Sequence, residues 1–135
     1  IQDSYPDYEK VIPQNNEKKV LVNNEKMIES LKRLSSFSSK KTKQATLFIN
    51  NNTVEIKTED TESSSSANEN IDCEYEGEKI AVAFNCEYLR EILEKTPTKN
   101  STLLLKDDQS AALILPEKNT NSLKKISLLM PIRLN

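Results

Sequence analysis

The sequence has no histidine, only one glycine and only two cysteines among its 135 residues. Without histidine it cannot build a Ser-His-Asp or Cys-His nucleophile arrangement, nor a mixed Cys/His zinc site. The single glycine, Gly77, cannot form a glycine-rich phosphate-binding loop. These absences exclude most of the familiar enzyme classes, and we expect no cofactor and no metal.

The two cysteines, Cys73 and Cys86, do not form a CxxC pair. We expect both to be small buried hydrophobic side chains in a reducing cytosol, with a disulfide or a reactive thiol as the alternative. Apolar runs such as Ser127 to Pro131 are far shorter than the roughly 20 residues of a membrane span, so no membrane partner is expected.

The chain opens at Ile1 without a methionine, a basic segment or an apolar segment, so we expect no signal peptide and a fragment of a longer protein. Its length predicts one domain. The net charge of -2 argues against a domain whose whole surface binds nucleic acid. It is compatible with a local basic face, because phosphate binding depends on where the cations lie.

The first part of the chain predicts a linker, a strand and a helix. Ile1 to Pro13 has several prolines and no helical period, which indicates an extended linker. Lys19 to Val22 is predicted to be a short strand. After Asn23 or Asn24, a capped helix is predicted to end around Phe37 to Ser39. Its apolar face consists of Met27, Ile28, Leu31, Leu34 and Phe37.

The middle of the chain predicts two hairpins separated by a loop. Ala45 to Asn50 and Thr53 to Lys57 alternate across an asparagine turn, which indicates a hairpin. Thr58 to Asn70 is polar, acidic and rich in serine, and is predicted to be a mobile loop. Ile71 to Tyr75 and Lys79 to Phe84 are predicted to pair as a second hairpin around Gly77.

The last part predicts a second helix and three strands. Asn85 should cap this helix, whose inward residues are Cys86, Leu89, Ile92 and Leu93 and which ends before Pro97. The predicted strands are Thr102 to Leu105, Ala111 to Leu115 and Lys125 to Met130.

The same order of elements therefore occurs twice, from Lys18 to Glu76 and from Lys79 to Met130. We predict an α+β fold with a duplicated βαβββ unit, related by a pseudo-twofold axis, with two helices on one face of largely antiparallel sheets.

Several short motifs carry a resemblance to a known family. They are Tyr5-Pro6-Asp7-Tyr8, Val11-Ile12-Pro13, Ser38-Ser39-Lys40, Phe84-Asn85 with Tyr88, and Met130-Pro131-Ile132-Arg133-Leu134. In this order and spacing, over essentially the whole chain, they resemble the bacterial DNA sliding clamps, the beta subunit of DNA polymerase III. The resemblance implies the DNA clamp fold. It also implies that residues 1–13 are a linker with the end of a preceding clamp domain, and that residues 14–135 are the third, C-terminal clamp domain.

In that family three domains form one protomer, and two protomers close head to tail into a ring around duplex DNA. The resemblance implies a non-catalytic bacterial cytoplasmic protein that confers processivity on the replicative polymerase. Its implied partners are non-specifically bound double-stranded DNA, a second copy of the full-length protein, and peptides of polymerases, the clamp loader and repair proteins.

The resemblance also implies three sets of site residues. The peptide-binding pocket would comprise Pro6, Asp7, Val11, Asn85, Tyr88, Leu128, Met130, Pro131, Ile132 and Arg133. The DNA channel would be lined by Lys32, Arg33, Lys40, Lys41, Lys43 and Arg90. The subunit interface would include Ser36 and Phe37, where the family usually has two apolar residues.

Other interpretations of the same residues remain open. A structural or adaptor α+β domain without a DNA role is the main alternative, and an enzyme using Glu59 with Asp60 or Asp107 with Asp108 is the third. From the residues alone, Leu128 to Leu134 is typical of a final core strand. Each channel cation, taken singly, is typical of a solvated helix face.

Overall fold

The computed structural model describes residues 18–38, 40, 42–60, 62–96, 98–116 and 127–132. These residues form two helices and eight strands in the following order: β1 (Lys18–Asn23), α1 (Asn24–Ser35), β2 (Gln44–Asn50), β3 (Thr53–Asp60), β4 (Ser65–Glu74), β5 (Ile80–Asn85), α2 (Cys86–Lys95), β6 (Asn100–Leu105), β7 (Ala112–Pro116) and β8 (Ser127–Leu129). The βαβββ order occurs twice, which confirms the predicted duplication.

The strands of both repeats join in one eight-stranded sheet with the order β5-β2-β3-β4-β1-β6-β7-β8, and every pairing is antiparallel. Exchanging the repeats turns the β1–β6 pairing into the β5–β2 pairing, and the structure contains both. Beyond β8, Ile132 forms an isolated antiparallel bridge with Ala83 of β5. This bridge is the equivalent of the short pairing between β4 and β1, so the sheet returns on itself.

The loops after the helices repeat this symmetry. The backbone N–H of Asn24 at the start of α1 donates to the Lys99 carbonyl after α2, at 3.0 Å. The N–H of Cys86 at the start of α2 donates to the Lys43 carbonyl after α1, at 2.7 Å. Each helix start is therefore held by the loop that follows the other helix, as expected for a pseudo-twofold arrangement.

Both helices begin where the sequence predicts. The Asn23 side chain accepts from the Lys26 N–H at 2.9 Å, and the Asn85 side chain accepts from the N–H groups of Glu87 and Tyr88. These bonds satisfy donors that have no partner within the helix. Helix α1 ends at Ser35, slightly before the predicted end, because the chain closes into a turn there.

One core lies between the sheet and the two helices. Helix α1 contributes Met27, Leu31 and Leu34, and helix α2 contributes Cys86, Leu89 and Leu93. The Cys86 thiol contacts the Leu31 carbonyl at 3.3 Å, so the helices lie side by side. The prediction that both helices lie on one face of the sheet is confirmed. Neither helix in the described part of the chain is long and apolar enough to cross a membrane.

The prediction of a mobile loop from Thr58 to Asn70 is wrong. Strand β3 continues to Asp60 and β4 begins at Ser65, and the two strands pair along this segment. Residues facing the helices alternate with exposed ones, but those inward side chains include Thr58 and Glu69, which are polar. Thr58 is buried and donates to the Leu34 carbonyl at 3.1 Å. Hydrogen bonding thus replaces the hydrophobicity that would have revealed a strand.

The predicted hairpin between Ile71 to Tyr75 and Lys79 to Phe84 is also wrong. Strand β4 pairs with β3 and β1, whereas β5 pairs with β2. The two strands belong to different repeats, and each finds its partner elsewhere in the sheet. The first hairpin is confirmed, since Asn51 and Asn52 both have positive φ in the turn between β2 and β3.

Candidate functional site

The end of the described chain forms an apolar surface beside helix α2. Strand β8 points Leu129 inward and leaves Leu128 50% exposed, and Met130 is 64% exposed. The Ile132 N–H then donates to the Ala83 carbonyl at 2.7 Å. Because β5 leads directly into α2, this bond sets the tail beside the start of that helix.

Tyr88, in the first turn of α2, is 59% exposed. We call Tyr88, Leu128, Met130, Pro131 and Ile132 the tail surface. Of the large hydrophobic side chains that are exposed in the described residues, most belong to it; the other two are Phe37 and Phe48. Grouped apolar side chains at a surface are typical of a binding site.

Of the remaining predicted pocket residues, the structure describes only Asn85. Asn85 is half-buried, and its side-chain oxygen is used to cap α2. It therefore shapes the surface by fixing the helix start. Pro6, Asp7, Val11 and Arg133 lie outside the described residues, as do the linker 1–13 and residues 125–126 of the predicted last strand.

The predicted channel cations lie near carboxylates. Lys32 on α1 and Arg90 on α2 both contact Glu94, at 3.9 and 3.0 Å. Lys43 contacts Glu87 at 3.2 Å. Lys40 is exposed, and Lys41 falls outside the part of the chain that the structure describes. Of these pairs, only Arg90 with Glu94 can be predicted from the sequence, because the two residues lie four positions apart on one helix.

Arg33 makes the most elaborate of these contacts. Its guanidinium donates to both carboxylate oxygens of Glu69 on β4, at 2.8 and 2.6 Å. The buried Ser30 hydroxyl donates to the same carboxylate at 2.7 Å. Two parallel bonds between a guanidinium and a carboxylate are stronger than a simple ion pair. This contact joins the last turn of α1 to β4.

The Arg33 contact predicts a pH dependence of stability. The hydrogen bond from Arg33, followed by that from Ser30, holds the pKa of Glu69 below its usual range in the folded chain. A lowered folded-state pKa adds stability that is complete above the unfolded pKa of about 4.3 and is lost as the pH falls through the folded pKa. In urea unfolding between about pH 7 and pH 3, wild type should lose more stability than Glu69→Gln. Glu91→Gln is the control, and parallel curves for wild type and Glu69→Gln would contradict the expectation.

The predicted subunit-interface residues lie just after α1. Ser36 is exposed and donates its hydroxyl to the Arg33 carbonyl at 3.2 Å, and the Phe37 side chain is also exposed. A polar cavity of about 550 Å³ adjoins them, between the end of α1, the turn after β3 and the start of α2. Among the described strands, β1 pairs with β4 only at Cys73 and Glu74, so no described strand pairs with the edge of β4 from Ser65 to Asp72. Sequence reasoning missed this edge because it treated the segment as a loop.

Two of the four carboxylates considered for catalysis hold turns of the chain. Asp60, at the end of β3, accepts bonds from the Glu62 N–H and the Ser63 hydroxyl. Asp107 accepts bonds from the N–H groups of Gln109 and Ser110, which lower the pKa of its carboxyl. Within the described residues there is no group of three or more His, Cys, Asp or Glu residues that could hold a metal ion.

Both cysteines are free; Cys86 is buried, as expected, and Cys73 only half-buried. Burial raises the pKa of each thiol to about 11, so neither is a ready nucleophile at neutral pH.

Comparison with known proteins gives a match to one protein family. Residues 9–133 match the family model described as DNA polymerase III beta subunit, C-terminal domain. Over 134 residues the chain is 28% identical to a beta sliding clamp of Pseudomonas aeruginosa and 30% identical to one of Haemophilus influenzae. It covers 99% of its own length in both matches but 35% and 36% of those relatives, so it spans about a third of their length.

Solved structures give the same result. A sliding clamp from Pseudomonas aeruginosa bound to griselimycin is 29% identical with a TM-score of 0.86, over 96% of this chain and 34% of that one. A sliding clamp from Bartonella birtlesii, also bound to griselimycin, is 26% identical with a TM-score of 0.85, over 99% of this chain and 35% of that one. The two βαβββ repeats and their packing are thus those of known clamp structures.

Proposed function

This chain belongs to the family formed by the C-terminal domains of the DNA polymerase III beta subunit, and we propose that it serves as the third domain of a bacterial DNA sliding clamp. In this role it is a non-catalytic processivity factor. The longer protein closes as a head-to-tail homodimer around double-stranded DNA and holds the replicative polymerase at its template. The proposal places the protein in the bacterial cytoplasm and requires no cofactor.

The observation that carries the proposal is the tail surface in a domain of this family. A tethering protein must capture a short segment of its client, and such segments bind through a few apolar anchors in a largely preformed cleft. Leu128 and Met130 are exposed although they are large and apolar, and Tyr88 lies on the neighbouring helix. The clients would be peptides of polymerases, the clamp loader and repair proteins.

The DNA-facing side would be the exposed side of α1 and α2. A sliding protein needs cations that attract phosphates without reading bases. Lys32, Arg33, Lys40, Lys43 and Arg90 lie on or just after these helices, and Lys41 would join them. Ser36, Phe37 and the edge of β4 that no described strand covers would meet the second copy of the protein, because such a strand edge is a template for pairing with another chain.

The ion pairs of these cations favour the second candidate, an adaptor domain that binds protein segments without DNA. Each pair satisfies a cation within the domain, as expected of an ordinary solvated helix face. The two functions differ in topology, since only a ring can be retained by a closed DNA circle.

We expect the full-length protein, once loaded by its clamp loader, to stay on circular duplex DNA during gel filtration and to leave after the circle is cut. Ring closure retains the protein by topology, so cutting should remove most of the bound fraction. This domain alone should bind a linear duplex weakly, because one open domain of net charge -2 offers few phosphate contacts. Equal retention on circular and cut DNA, or tight salt-resistant binding of this domain to a linear duplex, would favour other functions.

A further inference from the structure

The two helices of the proposed channel side carry no net charge between them. Helix α1 carries Lys26, Lys32 and Arg33 against Glu25 and Glu29, so it has one more cation than carboxylates. Helix α2 carries one more carboxylate than cations, and the formal charges of the two helices cancel. Helices that attract DNA by charge alone would carry a clear excess of cations.

Glu94 contacts a cation of each helix on this side. The Arg90 guanidinium donates to both of its carboxylate oxygens, at 3.1 and 3.0 Å, within α2. The Lys32 ammonium approaches it from α1 at 3.9 Å. One carboxylate thus holds two of the predicted channel cations, one from each helix, and the three groups together carry a single positive charge.

We propose that Glu94 is a built-in competitor of DNA phosphate, which limits how strongly Lys32 and Arg90 grip the duplex. The inference rests on the proposed function and deepens it by naming a residue that sets the strength of the DNA contact. A cation releases DNA counterions only to the extent that it neutralises a phosphate, and a neighbouring carboxylate opposes this.

Glu94 weakens the phosphate contacts of Lys32 and Arg90 but does not prevent them. The side chains of Lys32, Arg90 and Glu94 are all partly exposed, and exposed ion pairs are weak because water screens them. Lys32 or Arg90 can therefore pair with a DNA phosphate in place of Glu94, and can pair with Glu94 again when the phosphate has moved on. Short-lived contacts of this kind let a protein slide, whereas permanent contacts would hold it at one place on the DNA.

The test is the salt dependence of DNA binding by the full-length protein. Affinity for a short linear duplex is measured by fluorescence anisotropy between about 50 and 300 mM KCl, for wild type, Glu94→Gln and Glu91→Gln. Glu91 lies exposed on the same helix and takes part in none of the ion pairs formed between described residues. The control thus removes the same charge from the same helix without releasing a cation.

Glu94→Gln should bind more tightly at low salt, with a slope of log affinity against log salt about one unit steeper than wild type and Glu91→Gln. Adding Lys32→Gln should return the slope towards the wild-type value. If Glu94→Gln and Glu91→Gln have equal slopes while wild type is retained on circular DNA, the role of Glu94 is refuted and the proposed function stands. If wild type is not retained on circular DNA, the proposed function fails, and the inference with it.

Discussion

Replacing Leu128 and Met130 together by alanine should weaken binding of a polymerase-derived peptide to the full-length protein by at least about 30-fold. Apolar anchors of this kind contribute about 1 kcal/mol or more each when truncated, and every 1.4 kcal/mol is a tenfold change in affinity. Both side chains are at least half exposed, so their loss should change the melting temperature little. Peptide titration and thermal melting of the same samples separate these two effects.

Phe48→Ala is the matched control, since it removes an exposed apolar side chain from β2, outside the predicted pocket residues. Its peptide affinity should equal that of wild type. Deleting Met130 to Asn135 is the stronger version of the test and should abolish peptide binding. It also removes the bond between Ile132 and Ala83, at a cost of about 0.5–1.5 kcal/mol. Unchanged peptide affinity after the deletion would refute the pocket, and an unfolded domain would show that the tail is part of the core.

The largest effect on stability is expected for Phe84→Ala. Phe84 is 1% exposed, points from β5 towards the helices and belongs to the single core. Truncating a buried phenylalanine costs about 3–5 kcal/mol, because it removes apolar contacts and leaves a cavity. Domains of this size are stable by only about 5–15 kcal/mol in total, so much of the folding free energy should disappear. Urea unfolding of the chain measures the loss directly.

Phe48→Ala serves here as the same substitution at an exposed position. Phe48 is 39% exposed, and its main specific contact is with Lys57, whose ammonium lies 5.8 Å from the ring centre. Exposed contacts of this type contribute about 0.5–1 kcal/mol. A loss for Phe84→Ala no larger than that for Phe48→Ala would mean that β5 is not packed as described.

The local elements of this protein could be predicted from its sequence. Asn23 and Asn85 cap their helices, and each cap bonds to N–H groups two or three residues away. The apolar period of each helix and the turn at Asn51 and Asn52 likewise depend on a few neighbouring residues. The order of these elements was enough to recognise the βαβββ repeat and, from it, the α+β fold.

Strand β4 could not be recognised in the same way. Several of its half-buried positions carry small or polar residues, among them Ala67 and Glu69, so no apolar alternation marks it. Glu69 can face the helix only because Ser30 and Arg33 meet its carboxylate, from 39 and 36 residues away along the chain. The energy of burying that polar side chain is therefore decided by distant partners.

The candidate sites likewise depend partly on the sequence and partly on the tertiary structure. The sequence determined which side chains are apolar in the tail and which are basic on the helices. Only the tertiary structure decided that Ile132 bonds to β5, which brings the tail beside α2, and that Glu94 holds both Lys32 and Arg90. Charge and hydropathy are properties of single residues and can be seen along the chain. Which group neutralises or covers another depends on distances that exist only after the sheet and both helices have packed.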